Sequence, residues 1–145
     1  MVGGDPQRVV LAVEDDVLVR IFVADVLADA GYRVLEASSA MEALTVLRAR
    51  PDVLVMVTDV DMPGGMNGFA LARAVRKQHA NIQIIVMSGR TWPQADDLPI
   101  GSVFIGKPVT GARLAGEVGE AVARAESLLG NAITIGGADS DDAVA

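Results

Sequence analysis

The sequence predicts an α/β chain in which helices cover both faces of a parallel β-sheet. Two observations carry this. Short, continuous apolar runs alternate with segments whose apolar residues recur at helical spacing, and each run is closed by turn or capping residues. The composition agrees: 51% of residues are hydrophobic but only 3% aromatic. A core of Val, Leu, Ile, Ala and Met suits parallel strands buried on both sides. At 145 residues, one domain is the prior.

The first apolar run, Val9 to Val13, stops at acids, as a buried strand would. Asp16 can cap a helix on which Val17, Leu18, Ile21, Phe22, Val26 and Leu27 form one stripe, with Gly31 as its stop. Arg33 to Ala37 is a second short strand. Ser39 and Glu42 make a capping-box pair for a helix that must end before Pro51. Val53 to Val57 is a β-branched strand leading into Thr58-Asp59. A Pro- and Gly-rich turn (Pro63, Gly64, Gly65, Gly68) precedes a helix carrying Phe69, Leu71, Ala72 and Val75.

Ile82 to Met87 and Val103 to Ile105 are the fourth and fifth strands, ending at Ser88-Gly89 and Gly106-Lys107-Pro108. Between them Pro93 and Pro99 leave room for about one turn of helix, a shortened fourth helix. Thr110 can cap a last helix with Leu114, Val118, Ala121, Val122, Ala125 and Leu128 on its stripe. Gly116 and Gly119 lie inside it, so this helix is either weak or closely packed there. The expected organisation is a flexible N-terminus at 1–6, a folded domain at 7–129 and a disordered tail at 130–145. Strand–helix alternation implies right-handed crossovers.

The formal charge is −7, from 19 acids and 12 bases, with no basic cluster. That balance argues against nucleic acid as a partner and favours a cation or a basic protein patch. The absence of Cys excludes disulfides and thiolate metal sites. Asp5 and Glu14 come too early for a signal peptide, and no apolar run is long enough to span a membrane. The expectation is a cytoplasmic domain without membrane contact.

Chemistry concentrates at strand ends. Glu14 and Asp15 follow the first strand, Asp59 the third, Ser88 the fourth and Lys107 the fifth. Open parallel α/β sheets place their ligand sites beyond the carboxyl ends of strands. Crowded carboxylates repel one another and need a cation to stay ionised; an all-oxygen set suits Mg²⁺ or Mn²⁺. With Lys107 and Ser88 available to phosphate oxygens, one carboxylate could attack phosphorus and form an acyl phosphate. Taken singly, these residues have plainer readings. Acids at 14–16 could cap a helix, Ser88-Gly89 could be a turn and Phe104 could be core. The lone histidine, His79, reads as solvated, and Met62 and Met66 as packing for their loop. Trp92 could be a partner contact or a lid over Ser88.

The set Val13-Glu14-Asp15-Asp16, Thr58-Asp59-Val60-Asp61-Met62-Pro63, Ser88-Gly89 and Phe104-Ile105-Gly106-Lys107-Pro108 resembles the receiver domain of two-component response regulators, over about residues 7–129. The resemblance implies a flavodoxin-like (βα)5 doubly wound sheet with strand order 2-1-3-4-5. It implies that Asp59 is the phosphoacceptor and that Mg²⁺ is held by Glu14, Asp15, Asp59 and the backbone carbonyl of Asp61. It casts Ser88 as the switch hydroxyl, Lys107 as the phosphate-contacting lysine, Phe104 as the aromatic switch and Lys107-Pro108 as a cis peptide. Its partners would be a histidine kinase or histidine phosphotransfer protein and an unidentified downstream protein, with a homodimer as one option. Read as complete, the chain has no length for an output domain, so a stand-alone receiver is expected.

Two other functions fit parts of the pattern. Asp59-Val60-Asp61 resembles the nucleophile and acid/base pair of haloacid-dehalogenase-like phosphatases, although there the acid pair comes late in the chain. A phosphate-independent binding module of receiver fold is the third reading. The turn at 63–68 is one residue longer than is usual in receivers. The shortened fourth helix removes part of a surface that many receivers use for dimerisation or signalling.

Overall fold

A computed structural model describes the backbone of residues 7–144 and the side chains of residues 7–130. The expected flexible segment at 1–6 lies outside the described residues. Five strands, β1 (Val9–Val13), β2 (Arg33–Ala37), β3 (Val53–Asp59), β4 (Gln83–Ser88) and β5 (Val103–Gly106), form one sheet in the order 2-1-3-4-5. Every neighbouring pair is parallel. The helices are α1 (Val17–Asp29), α2 (Ala40–Ala49), α3 (Gly68–Gln78) and α4 (Gly111–Val144).

Side chains alternate across the sheet, and two cores result. Leu11, Val13, Met56, Ile84 and Val86 meet α2 and α3 on one face. Val10, Ala12, Val55, Val57, Ile85 and Ile105 meet α1 and α4 on the other. The central strands β1, β3 and β4 are buried almost throughout, which is why they read as unbroken apolar runs.

Asp16, Ser39 and Thr110 are the caps the sequence indicates, and Asn67 is one it did not. Asp16 accepts from the N–H groups of Leu18 and Val19, Ser39 from Glu42, Asn67 from Ala70, and Thr110 from Arg113. The face of α1 is different from the one expected. Val23 and Leu27 are its buried residues, whereas Val17, Leu18, Ile21 and Phe22 are exposed. This helix is apolar on nearly every side, so periodicity could not say which face turns inward.

The shortened fourth helix is corrected too: among the described residues no helix joins β4 to β5. The chain instead makes turns closed by Asp97 N–H on the Gln94 carbonyl and Ser102 N–H on the Pro99 carbonyl. Pro93 and Pro99, with left-handed backbone at Asp96 and Gly101, leave no stretch able to complete a helical ladder. Leu98 packs from this connection onto the core beneath.

Helix α4 continues to Val144, past Leu129, where the composition predicts its end; no proline after Pro108 interrupts it. The side chains of 131–145, most of the expected tail, lie outside the described residues. A Cβ at Gly116 would meet nothing within 4 Å, and one at Gly119 only the Tyr32 hydroxyl at 3.7 Å. Close packing therefore does not account for Gly116.

Candidate functional site

Adjacent strands deliver the polar residues to one end of the sheet. Glu14 follows β1 and is fixed by its N–H on the Ala37 carbonyl of β2. Asp59 is itself the last residue of β3, in register with Met87 of β4. Ser88 closes β4 opposite Gly106, and the Lys107 N–H donates to the Ser88 carbonyl at 3.0 Å. The peptide bond from Lys107 to Pro108 is cis.

Lys107 occupies the centre. Its Nζ lies 2.8 Å from Asp59 Oδ1 and 3.2 Å from Glu14 Oε1. Glu14, Asp15 and Asp59 each offer a carboxylate oxygen within 4.8 Å of the others. Glu14 and Asp59 are buried. Burial pushes the Asp59 carboxyl above its ordinary range; the hydrogen bond and charge of Lys107 oppose this, while Asp61 and Asp15 add to it. Burial raises Glu14 as well, against hydrogen bonding from Asp16 and the nearby Lys107. For Lys107, burial alone would lower the pKa, but the hydrogen bonds and charges of Asp59 and Glu14 outweigh it and hold the ammonium above its usual value. The cluster is thus short of positive charge. Its all-carboxylate donor set fits a hard divalent cation, and nothing in it is soft enough to prefer another class of metal.

Asp61 stands apart from this group. Its Oδ2 accepts from Ser88 Oγ at 3.2 Å and its Oδ1 from Thr91 Oγ1 at 2.9 Å. Ser88 Oγ in turn accepts from the N–H groups of Thr91 and Arg90. Phe104 is partly buried against the core, and the Trp92 ring lies on it, with ring centroids 5.0 Å apart. Met62 and Met66 pack onto the same core. His79 is not simply solvated: its Nε2 is buried at the end of α3 with no hydrogen-bond partner among the described residues.

Three contributors escaped the sequence reading. Gly68 lies directly under Asp59, and any Cβ there would collide with the Asp59 carbonyl oxygen and the backbone of Val60. Its place in a Gly-rich turn was the only hint. Arg20 donates from Nη1 to the Glu14 carbonyl at 2.8 Å, four residues into the turn after the Asp16 cap. Thr91 carried no signal, since a hydroxyl three residues after Ser88 belongs to no pattern.

Residues 10–115 match the response regulator receiver domain family, and the chain belongs to it. It is 38% identical over 115 residues to the sensor kinase CckA of Brucella abortus, which covers 77% of this chain but 12% of that protein. It is 33% identical over 94 residues to the two-component response regulator ORR11 of Oryza sativa, covering 63% of each. The chain therefore spans only part of these relatives. Among solved structures, the chemotaxis protein CheY4 of Vibrio cholerae superposes with a TM-score of 0.72 at 30% identity, covering 80% of this chain and 99% of that one. A receiver domain protein from Clostridium thermocellum gives 0.74 at 25% identity, covering 83% and 98%. Receivers are signalling switches of two-component systems, and the sheet order here is theirs. Among the described residues no helix is long and apolar enough to cross a membrane.

Proposed function

We propose that Asp59 accepts a phosphoryl group from a phosphohistidine on a histidine kinase or phosphotransfer protein, and that the resulting acyl phosphate alters contacts with a downstream protein. The observation that carries this reading is the Lys107 ammonium held between Asp59 and Glu14 at the carboxyl end of the sheet. An oxygen of the Asp59 carboxylate attacks phosphorus, the P–N bond breaks, and the imidazole leaves with its electron pair. Lys107 offsets charge on the phosphoryl oxygens, and Ser88 can donate its hydroxyl to one of them. Mg²⁺ held by Glu14, Asp15, Asp59 and the Asp61 carbonyl would neutralise the crowded acids and draw in the anionic donor. The same groups would assist later hydrolysis.

The exposed face of α1 supports a protein donor. Leu18 is 77% exposed, Val17 55%, Ile21 48% and Phe22 43%, on a helix that starts one residue after the Asp16 cap beside the acids. A contiguous apolar face at the rim of a site suits docking of a partner helix. On this reading the chain works in the cytoplasm, where phosphohistidine donors are made from ATP.

The phosphatase alternative needs the Asp61 carboxyl as acid/base beside Asp59. Both its oxygens instead accept hydroxyl hydrogen bonds from Ser88 and Thr91. The test is incubation with Mg²⁺ and acetyl phosphate, then peptide mapping of base-labile phosphate. A single phosphoryl group on Asp59 that decays supports the switch. Phosphate elsewhere, sustained turnover of phosphate esters, or no phosphate from donor or kinase contradicts it.

A further inference from the structure

Glu14 is held at every polar group it has. Its N–H donates to the Ala37 carbonyl of β2 at 3.0 Å. One carboxylate oxygen accepts from the Asp16 N–H at 3.2 Å, and the other from Lys107 Nζ at 3.2 Å. The Arg20 side chain supplies the remaining donor, Nη1 to the Glu14 carbonyl at 2.8 Å. Its Nε pairs with Glu36 Oε1 of β2 at 3.2 Å, so one guanidinium joins the end of β1 to the neighbouring strand.

Local structure explains the reach. The Arg20 N–H closes the first turn of α1 on the Asp16 carbonyl at 2.9 Å. Helical side chains tilt toward the helix N-terminus, which returns the guanidinium to the strand end that the chain has just left. A surface Arg–Glu pair on its own contributes little to stability. The Arg20 side chain is only 19% exposed, however, and it holds the peptide that joins Glu14 to Asp15. That peptide is planar, so fixing its carbonyl also fixes the bond that carries Asp15. Glu14 and Asp15 are two of the three acids whose oxygens lie within 4.8 Å of one another.

We propose that Arg20 is a positioning residue for the cation: it holds the Glu14–Asp15 peptide so that both carboxylates converge on the ion. Glu36 anchors the guanidinium from the far side. The proposal rests on the Mg²⁺ reading above. Charge and position make opposite predictions here. An arginine beside a cluster of acids repels a second cation, so by charge alone Mg²⁺ binds more tightly without it. Loss of a group that orients metal ligands weakens binding instead.

Titration calorimetry of the full chain with magnesium chloride decides between them. Arg20→Met is expected to raise the Kd for Mg²⁺ by about tenfold, the lower end for losing a group behind a metal ligand. Arg20→Lys keeps the charge but loses the planar fork that reaches Glu14 and Glu36 together, so it should raise the Kd by a smaller factor. Each titration is run below the melting temperature of its variant, where a purely structural role leaves the Kd unchanged. A Kd at or below the wild-type value in either variant overturns the proposal. If wild type takes up no Mg²⁺, the metal reading fails separately, and amide hydrogen exchange still decides whether Arg20 holds this peptide. The Glu14 and Asp16 amides should then exchange faster in both variants, while those of Val55 to Val57 in β3 keep their wild-type rates. Unchanged exchange at Glu14 and Asp16 overturns the brace.

Discussion

The Nζ of Lys107 stands 2.8 Å from Oδ1 of Asp59, so the residue after β5 neutralises the last residue of β3 across the intervening strand β4. With Lys107 removed, Asp59 and Glu14 face each other uncompensated in a buried site. Lys107→Met should therefore slow phosphorylation by acetyl phosphate by about a hundredfold or more, the usual scale for removing one preorganised charge-stabilising group. Stopped-flow or time-resolved mass measurements would show it, and a rate within a few-fold of wild type would contradict the role given to Lys107.

The raised pKa values of Asp59 and Glu14 fix the sign of a pH effect. A carboxyl raised on folding binds its proton more tightly in the folded state than in the unfolded state. Its contribution to stability is thus greatest at low pH and falls as pH rises from the ordinary carboxylate range through the raised folded value. Metal-free Asp59→Asn, which has no charge to bury there, should lose part of this dependence. Melting curves over that window should show wild type losing stability relative to Asp59→Asn as pH rises. The opposite trend would mean that Lys107 overcompensates the acids.

Mg²⁺ should act as a stabiliser through the same residues. At ten times its dissociation constant a single bound ion adds about 1.4 kcal/mol. The shift in melting temperature should be present in wild type and largely absent in Asp15→Asn, whose side chain lies in the carboxylate cluster. Titration calorimetry checks the same loss directly.

The apolar face of α1 separates two routes of phosphorylation. Leu18→Asp changes an exposed residue on the first turn of α1, outside the carboxylate cluster. Transfer from a cognate phosphohistidine protein should fall by about tenfold or more, as expected when an interface anchor is lost. Phosphorylation by acetyl phosphate should be unchanged. Equal losses by both routes would place the effect in the site rather than in docking.

The site was more legible in the sequence than the surfaces around it. Asp59 and Ser88 end β3 and β4, Glu14 and Lys107 directly follow β1 and β5, and parallel pairing forces such strand ends together. The strands themselves were plain because β1, β3 and β4 are buried on both faces. What failed depended on tertiary choice. With apolar residues on nearly all sides of α1, packing against β1, β2 and α4 decides that Val23 and Leu27 turn inward. Pro93 and Pro99 signalled a short connection, but not that its turns would replace a helix altogether. The Thr91–Asp61 and Trp92–Phe104 contacts join residues from different strand ends, and no local spacing encodes them.

The central claim is that Asp59 is the phosphoacceptor, and Asp59→Ala beside wild type tests it most directly. After incubation with Mg²⁺ and acetyl phosphate, or with a phosphorylated histidine donor, intact-mass and peptide mapping should find one base-labile phosphoryl group on wild-type Asp59 and none on Asp59→Ala. An undiminished phosphoryl group on Asp59→Ala, or wild type that accepts none from either donor, would contradict the account.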